Sequence, residues 1–114
     1  MTESLKTIIY PVKDLAKAKT LYGTLLGVKP IMDKPYYVGF NVEGQDIGLD
    51  PSGHSQGMTG PVGYWQVDDV KKSLEALLNA GAEVLQKVKD VGGGKLIASV
   101  KDADGNDIRL IQSA

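Results

Sequence analysis

One pattern of predicted elements occurs twice in the 114-residue sequence, and this repetition constrains the fold more than any other feature. Asp14 and Asp69 each precede a helical pattern, where a carboxylate accepts hydrogen bonds from the free amides of the first turn. Gly27 and Gly81 each follow the end of that pattern. The segment QDIGL at 45–49 resembles NDIRL at 106–110. The order strand, helix and three strands therefore occurs twice.

This repeat predicts an α+β fold of two βαβββ units in one domain that spans residues 1–114. The units are expected at about 4–50 and 61–112, with 51–60 as a glycine-rich connector. Each helix covers one face of its sheet and leaves the other face open. Two such units can curve their mixed sheets around a shared cleft, which favours a binding pocket.

Alternation and helical spacing set the expected boundaries. In the first unit we expect strands at 5–13, near 29–33, at 36–43 and at 46–50, with Gly44-Gln45 as a tight turn. In the second unit we expect strands at 62–67, 82–91, 95–101 and 107–112. Both helices have a predicted apolar stripe, formed by Leu15, Ala18, Leu21, Tyr22, Leu25 and Leu26 in the first and by Val70, Leu74, Leu77 and Leu78 in the second.

Composition excludes several classes of function. The formal net charge is -1, which gives no electrostatic reason to expect a nucleic-acid or membrane partner. The absence of cysteine excludes thiolate metal sites and a cysteine nucleophile. We find no membrane span and no signal peptide, so a cytoplasmic protein is expected.

Two groups of residues resemble the vicinal-oxygen-chelate superfamily, which includes glyoxalase I, extradiol dioxygenases and the bleomycin-resistance proteins. Val12-Lys13-Asp14-Leu15, with Leu21-Tyr22 and Leu26-Gly27, resembles its V-x-D…F-Y…L-G signature. The turn at 101–106, KDADGN, resembles the D-P-D-G-N turn before its last strand. The resemblance covers essentially the whole chain and implies the same paired βαβββ fold, commonly as a homodimer.

The resemblance also locates the positions that hold the metal in metal-dependent members. These are the cleft-facing positions Thr7, Gly48, Val62 and Arg109. A hydroxyl, a glycine, a valine and a cation do not make a divalent-metal site, which needs imidazole or oxygen donors. We therefore expect no metal and no other cofactor.

Arg109 is the most informative polar residue. It is either an anion anchor in the cleft or one half of an internal salt bridge, with Asp50 or Asp107 as partner. Strand alternation places Tyr64 and Gln66 in the cleft and Trp65 under a helix. One of Tyr36 and Tyr37 should also meet the cleft, whereas His54 should be a solvent-exposed connector residue.

The sequence therefore predicts a metal-free protein that binds a small organic molecule with an acidic or strongly polar group through Arg109, Tyr64, Gln66, Thr7 and Asp50. For Gln66 an ordinary structural role is the alternative. A metal-independent lyase or isomerase that uses Arg109, Tyr64 or Asp50 is the second hypothesis, and no catalytic residue is assigned. A metal-dependent lyase or dioxygenase ranks last.

Overall fold

The computed structural model describes residues 2–114, which contain two α-helices and eight β-strands. The chain divides into two compact units. The N-terminal unit is Thr7–Val62, and the C-terminal unit is Gly63–Ala114 together with the segment up to Lys6. Strand β1 (Thr2–Pro11) contributes residues to both units.

The N-terminal unit has a mixed four-stranded sheet with one helix. Its elements are β1 from Thr7 onward, α1 (Leu15–Leu26), β2 (Met32–Lys34), β3 (Tyr37–Val42) and β4 (Gln45–Asp50). The strand order is β2-β3-β4-β1, in which β1 and β4 are parallel and the other pairs antiparallel. A short 3-10 turn, His54–Gln56, interrupts the connector.

Helix α1 begins and ends as its capping residues predict. The Asp14 carboxylate accepts a hydrogen bond from the Lys17 amide, and Gly27 takes the left-handed conformation with φ 70°. The helix packs on a core of Val12, Val38, Phe40 and Leu49. The predicted stripe is too wide, because Leu21 and Leu25 remain 66% and 74% exposed.

Two predicted boundaries in this unit are wrong. The hairpin turn between β3 and β4 is Glu43-Gly44 rather than the predicted Gly44-Gln45. Glu43 and Gly44 both have positive φ, and Gln45 already pairs with Val42 in the sheet. This is the backbone twist that two-residue hairpin loops require. The second strand starts at Met32 rather than near residue 29, after Pro30, which cannot donate to a sheet.

The C-terminal unit repeats the same arrangement. Its elements are β5 (Val62–Val67), α2 (Val70–Asn79), β6 (Glu83–Asp90), β7 (Leu96–Lys101) and β8 (Asp107–Gln112). The strand order is β5-β8-β7-β6, with the segment of β1 up to Lys6 beside β5. Strands β5 and β8 are parallel, whereas β7 is antiparallel to both β8 and β6. The predicted α+β class with two βαβββ units is therefore confirmed.

Helix α2 packs on a core of Val67, Val70, Ala98 and Leu110, with Leu74 and Leu77 at its margin. The Asp69 carboxylate accepts from the Lys72 amide, and the Gln112 side-chain oxygen accepts from the Val70 amide at 2.8 Å.

Two apolar side chains of this unit lie outside the core. Trp65 shares the α2 side of the sheet with Leu110, its register partner, but is 41% exposed. The prediction that Trp65 packs under a helix is therefore wrong. Leu78 is likewise 39% exposed. Neither helix is long and apolar enough to cross a membrane.

Candidate ligand-binding site

The candidate site lies on the face of the C-terminal sheet away from α2, and strand alternation builds it. Ile108 and Leu110 pack toward α2, so Arg109 between them points to the opposite face, as predicted. Tyr64 and Ser99 are the register partners of Arg109 on its two sides. A polar row, Tyr64–Arg109–Ser99, thus crosses strands β5, β8 and β7.

The Arg109 guanidinium is held by two side chains of its own unit. Its Nε and Nη2 donate to the same oxygen, Asp107 Oδ2, at 3.3 and 3.1 Å. Its Nη1 donates to the Tyr64 hydroxyl at 3.2 Å, and the guanidinium carbon lies 5.5 Å from the centre of the Tyr64 ring. The salt-bridge interpretation is thus correct for Asp107, which is the partner rather than Asp50.

These contacts leave hydrogen-bonding capacity on the same groups. A guanidinium has five N–H donors. Within residues 2–114 three of them have acceptors, so one N–H on each terminal nitrogen of Arg109 remains. The Tyr64 hydroxyl accepts from Arg109 and keeps its own O–H to donate. The Arg109 side chain is 22% exposed, so solvent reaches these donors only in part.

The pKa of Arg109 is raised above its ordinary value. Burial opposes the charged form, but hydrogen bonding to Asp107 and the interaction with Tyr64 outweigh that penalty. Arg109 is therefore a permanent cation that cannot act as a general base near neutral pH.

Ser99 completes the polar row and is not among the residues predicted from the sequence. It is 9% exposed, and none of the side-chain hydrogen bonds within the described residues involves its hydroxyl. The signal was present, since Ser99 interrupts an otherwise apolar strand between Ala98 and Val100, both of which pack inward. A polar residue at such a position faces the other side of the sheet.

Gln66 lies on the same face as Tyr64, but its amide group is already engaged. Its Oε1 accepts from Ser113 Oγ at 2.9 Å, and its Nε2 donates to the Val67 carbonyl at 3.2 Å. These bonds anchor the end of the chain to β5. They favour the structural interpretation of Gln66 that the sequence left open.

The predicted residues Thr7 and Asp50 belong to the N-terminal unit. Both lie on the face away from α1, with Thr7 opposite Asp46 in the β1–β4 register. The Asp50 carboxylate accepts from the Ser52 amide at 2.8 Å and shapes the start of the connector. Their contact with a ligand stays a prediction. His54 is exposed in the connector, as expected, and Tyr36 is 64% exposed.

On that same face Tyr37 covers a pair of glycines, Gly39 and Gly48, which are register partners in β3 and β4. A Cβ atom on Gly39 would lie 3.3 Å from the Tyr37 ring, and one on Gly48 would overlap the phenol oxygen. The ring therefore occupies the space that a side chain at position 48 would need. Aromatic coverage of this kind compensates for the poor packing of glycine in a sheet.

The four positions that the family resemblance assigns to a metal do not fit one. Gly48 offers no donor and lies beneath Tyr37, and Arg109 presents a cation bonded to Asp107. Within residues 2–114 no three of the histidine, aspartate and glutamate side chains are grouped so that they could hold a metal ion. These residues supply neither the donors nor the space that a divalent ion needs.

Two βαβββ units, each with one helix on one face of a mixed sheet, define the vicinal-oxygen-chelate class of fold. The chain belongs to the Glyoxalase/Bleomycin resistance protein/Dioxygenase superfamily, whose sequence model matches residues 4–110. No curated protein matches the sequence significantly.

Several solved structures share the fold at low sequence identity. A glyoxalase/bleomycin resistance protein/dioxygenase superfamily member from Vibrio splendidus 12B01 is 15% identical, with a TM-score of 0.75 over 99% of this chain and 100% of that chain. Methylmalonyl-CoA epimerase from Mycobacterium tuberculosis is 18% identical, with a TM-score of 0.71 over 99% and 89%. A variant of the Streptomyces coelicolor epimerase, in complex with 2-nitronate-propionyl-CoA, is 15% identical, with a TM-score of 0.75 over 100% and 96%. At these identities the likeness is one of fold alone.

Proposed function

We propose that this protein binds a small organic molecule without a metal, on the face of the C-terminal sheet away from α2. Arg109 is the main anchor, and Tyr64 is the second polar contact. The observation that carries the proposal is the set of unused donors on a partly buried guanidinium, beside a phenol whose O–H is also available. Such donors favour a guest that carries a carboxylate, carbonyl or similar acceptor group.

The test is a ligand screen by thermal shift in the presence of a chelator. The set includes metabolites, antibiotics and acyl-CoA thioesters, the last because epimerases of the same fold bind them. A ligand that binds only the native state raises the melting temperature in proportion to RT ln(1 + [L]/Kd). Compounds that raise it are then titrated by calorimetry.

Arg109→Gln separates the anchor from the fold. Glutamine can still donate to Asp107, so the loss of the partly exposed ion pair should cost the apo protein about 1 kcal/mol. Ligand affinity should fall by roughly 1.5–3 kcal/mol, the range for hydrogen bonds to a charged group. Equal affinity of the wild type and the variant would contradict the assignment, as would loss of wild-type binding in chelator.

Lys101→Ala is the matched control. It removes another cation from the same face of the sheet, one that is paired with Glu83 at 3.5 Å and lies outside the polar row. Net charge falls by one unit in both variants, so a general electrostatic effect would weaken binding equally. A specific anchor predicts that only Arg109→Gln weakens it.

A second candidate is a metal-independent lyase or isomerase, favoured by the hydrogen bond between the Tyr64 hydroxyl and Arg109. A phenol beside a cation is suited to donate a proton to a developing oxyanion. Asp50, which the sequence offered as a further acid–base group, accepts from the Ser52 amide instead. Turnover of an identified ligand, abolished by Tyr64→Phe with binding retained, would distinguish this enzyme from a binding protein.

A further inference from the structure

The charge around the polar row is balanced, which limits the kind of acceptor it favours. Asp107 neutralises Arg109 through two hydrogen bonds to a single oxygen. The next charged pair on the same face is Lys101 with Glu83, and Lys101 is also the register partner of Asp107. At the polar row itself two cations therefore face two carboxylates, so its donors carry no excess of positive charge. A third cation, the exposed Lys89, lies further along this face as the register partner of Ile97.

The donors themselves match a carbonyl oxygen. Arg109 retains two N–H groups, and the hydroxyls of Tyr64 and Ser99 can donate on either side of it. A carbonyl oxygen has two lone pairs and accepts two such bonds with no charge of its own. A carboxylate would form the same bonds but would also bring a second negative charge close to Asp107.

An apolar surface adjoins the row on the same face. Ile111 lies two residues after Arg109 on β8, and Ile97 lies two residues before Ser99 on β7. The two isoleucines are register partners, and both are partly buried. They point away from α2, since the alternate positions Leu110 and Ala98 fill the α2 core. A molecule whose carbonyl group contacts the polar row can therefore lay a hydrocarbon or aromatic body on the two isoleucines.

We infer that the site selects a neutral carbonyl compound, such as a ketone, amide or ester joined to an apolar body, over a carboxylic acid. Asp107 is the residue that sets this selectivity, because its carboxylate cancels the charge of Arg109 and repels an anionic guest. The inference rests on the proposed function, since it concerns the same site.

Benzamide and benzoate are suitable probes, because they share one ring and differ mainly in the charge of the acceptor group. Each is titrated into isotope-labelled full-length protein at fixed ionic strength and followed by NMR. Shifts of the Ile97 and Ile111 methyl signals report whether a probe lies at the proposed site. The ratio of the two dissociation constants reports the selectivity.

Wild-type protein should bind benzamide more tightly than benzoate. Asp107→Asn keeps an acceptor for Arg109 but removes the charge, so benzoate should gain about tenfold in affinity while benzamide changes little. Glu83→Gln is the control, since it removes a carboxylate of the same face that does not contact Arg109, and it should leave the ratio unchanged. A thermal melt of each variant confirms that it is folded.

The outcomes separate the two proposals. If both probes shift the isoleucine methyls but benzoate binds more tightly to the wild type, or if Asp107→Asn leaves the ratio unchanged, the selectivity inference is wrong and the binding site stands. If neither probe binds, or the shifts lie elsewhere, the proposed function fails and this inference fails with it.

Discussion

Gly48→Ala is the substitution whose effect the structure defines most sharply. The added methyl group would overlap the Tyr37 phenol oxygen, and its distance to the adjacent ring carbon would be 2.5 Å. Either the ring stays and the sheet is overpacked, or the ring swings out and leaves Gly39 and Gly48 uncovered. Overpacking costs roughly 1–3 kcal/mol. At roughly 4 °C per kcal/mol for a domain of about this size, the melting temperature should fall by about 4–12 °C.

A control variant and a Tyr37→Ala background make this prediction refutable. Gly60→Ala is the control, because nothing lies within 4 Å of an added Cβ at Gly60, and it should leave the melting temperature within about 2 °C. In a Tyr37→Ala background the overlap is gone, so Gly48→Ala should cost much less than in the wild type. Calorimetric melts of the wild type, the single variants Gly48→Ala and Tyr37→Ala, and the double variant give the coupling energy between the two positions. A cost for Gly48→Ala that is equal in both backgrounds would refute the argument.

Three further predictions concern metal, assembly and pH. Elemental analysis should find no stoichiometric transition metal, and chelator should leave the melting temperature unchanged, whereas one equivalent of zinc, nickel, iron or manganese would oppose the metal-free proposal. Light scattering should give about twice the mass of a 12.2 kDa chain, because a second copy can cover exposed sheet edges; the mass of one chain would contradict this. Hydrogen bonds from the Asn106 side chain and amide lower the pKa of Asp102 from its ordinary value of 3.8. The ionised Asp102 carboxylate therefore stabilises the folded state above pH 3.8, and this contribution is lost as pH falls through the lower pKa of the folded state. Asp102→Asn should consequently flatten the decline of melting temperature below about pH 4.

The repeated elements were predictable because local chemistry determines them. Asp14 and Asp69 cap their helices, and β5 and β8 have the boundaries that their sequences indicate. Alternation also gave the side of the sheet on which Arg109 lies. The hairpin turn was misplaced by one residue, because Glu43 takes a positive φ that its side chain does not indicate.

The remaining features depend on long-range packing. The partner of Arg109 is an exception: Asp107 lies two residues away on the same strand and face, so alternation favours it over Asp50, and its Oδ2 lies 3.1 Å from Arg109 Nη2. Tyr37 could not be assigned to Gly48 because they meet through the pairing of two strands. Trp65 and Leu21 fit apolar patterns, yet they remain 41% and 66% exposed. Periodicity gives the direction of a side chain, but not whether another element reaches it.

The division of β1 between the units has a consequence for dissecting the protein. In the sequence, the connector divides the two repeats. The two compact units do not follow that division, because the segment up to Lys6 belongs with Gly63–Ala114. Leu5 lies against Gly63, with its Cδ1 2.8 Å from the position of an added Cβ. A fragment that begins after the connector would lack that partner strand. A fragment made to study the C-terminal unit should therefore carry residues 2–6 as well as Gly63–Ala114.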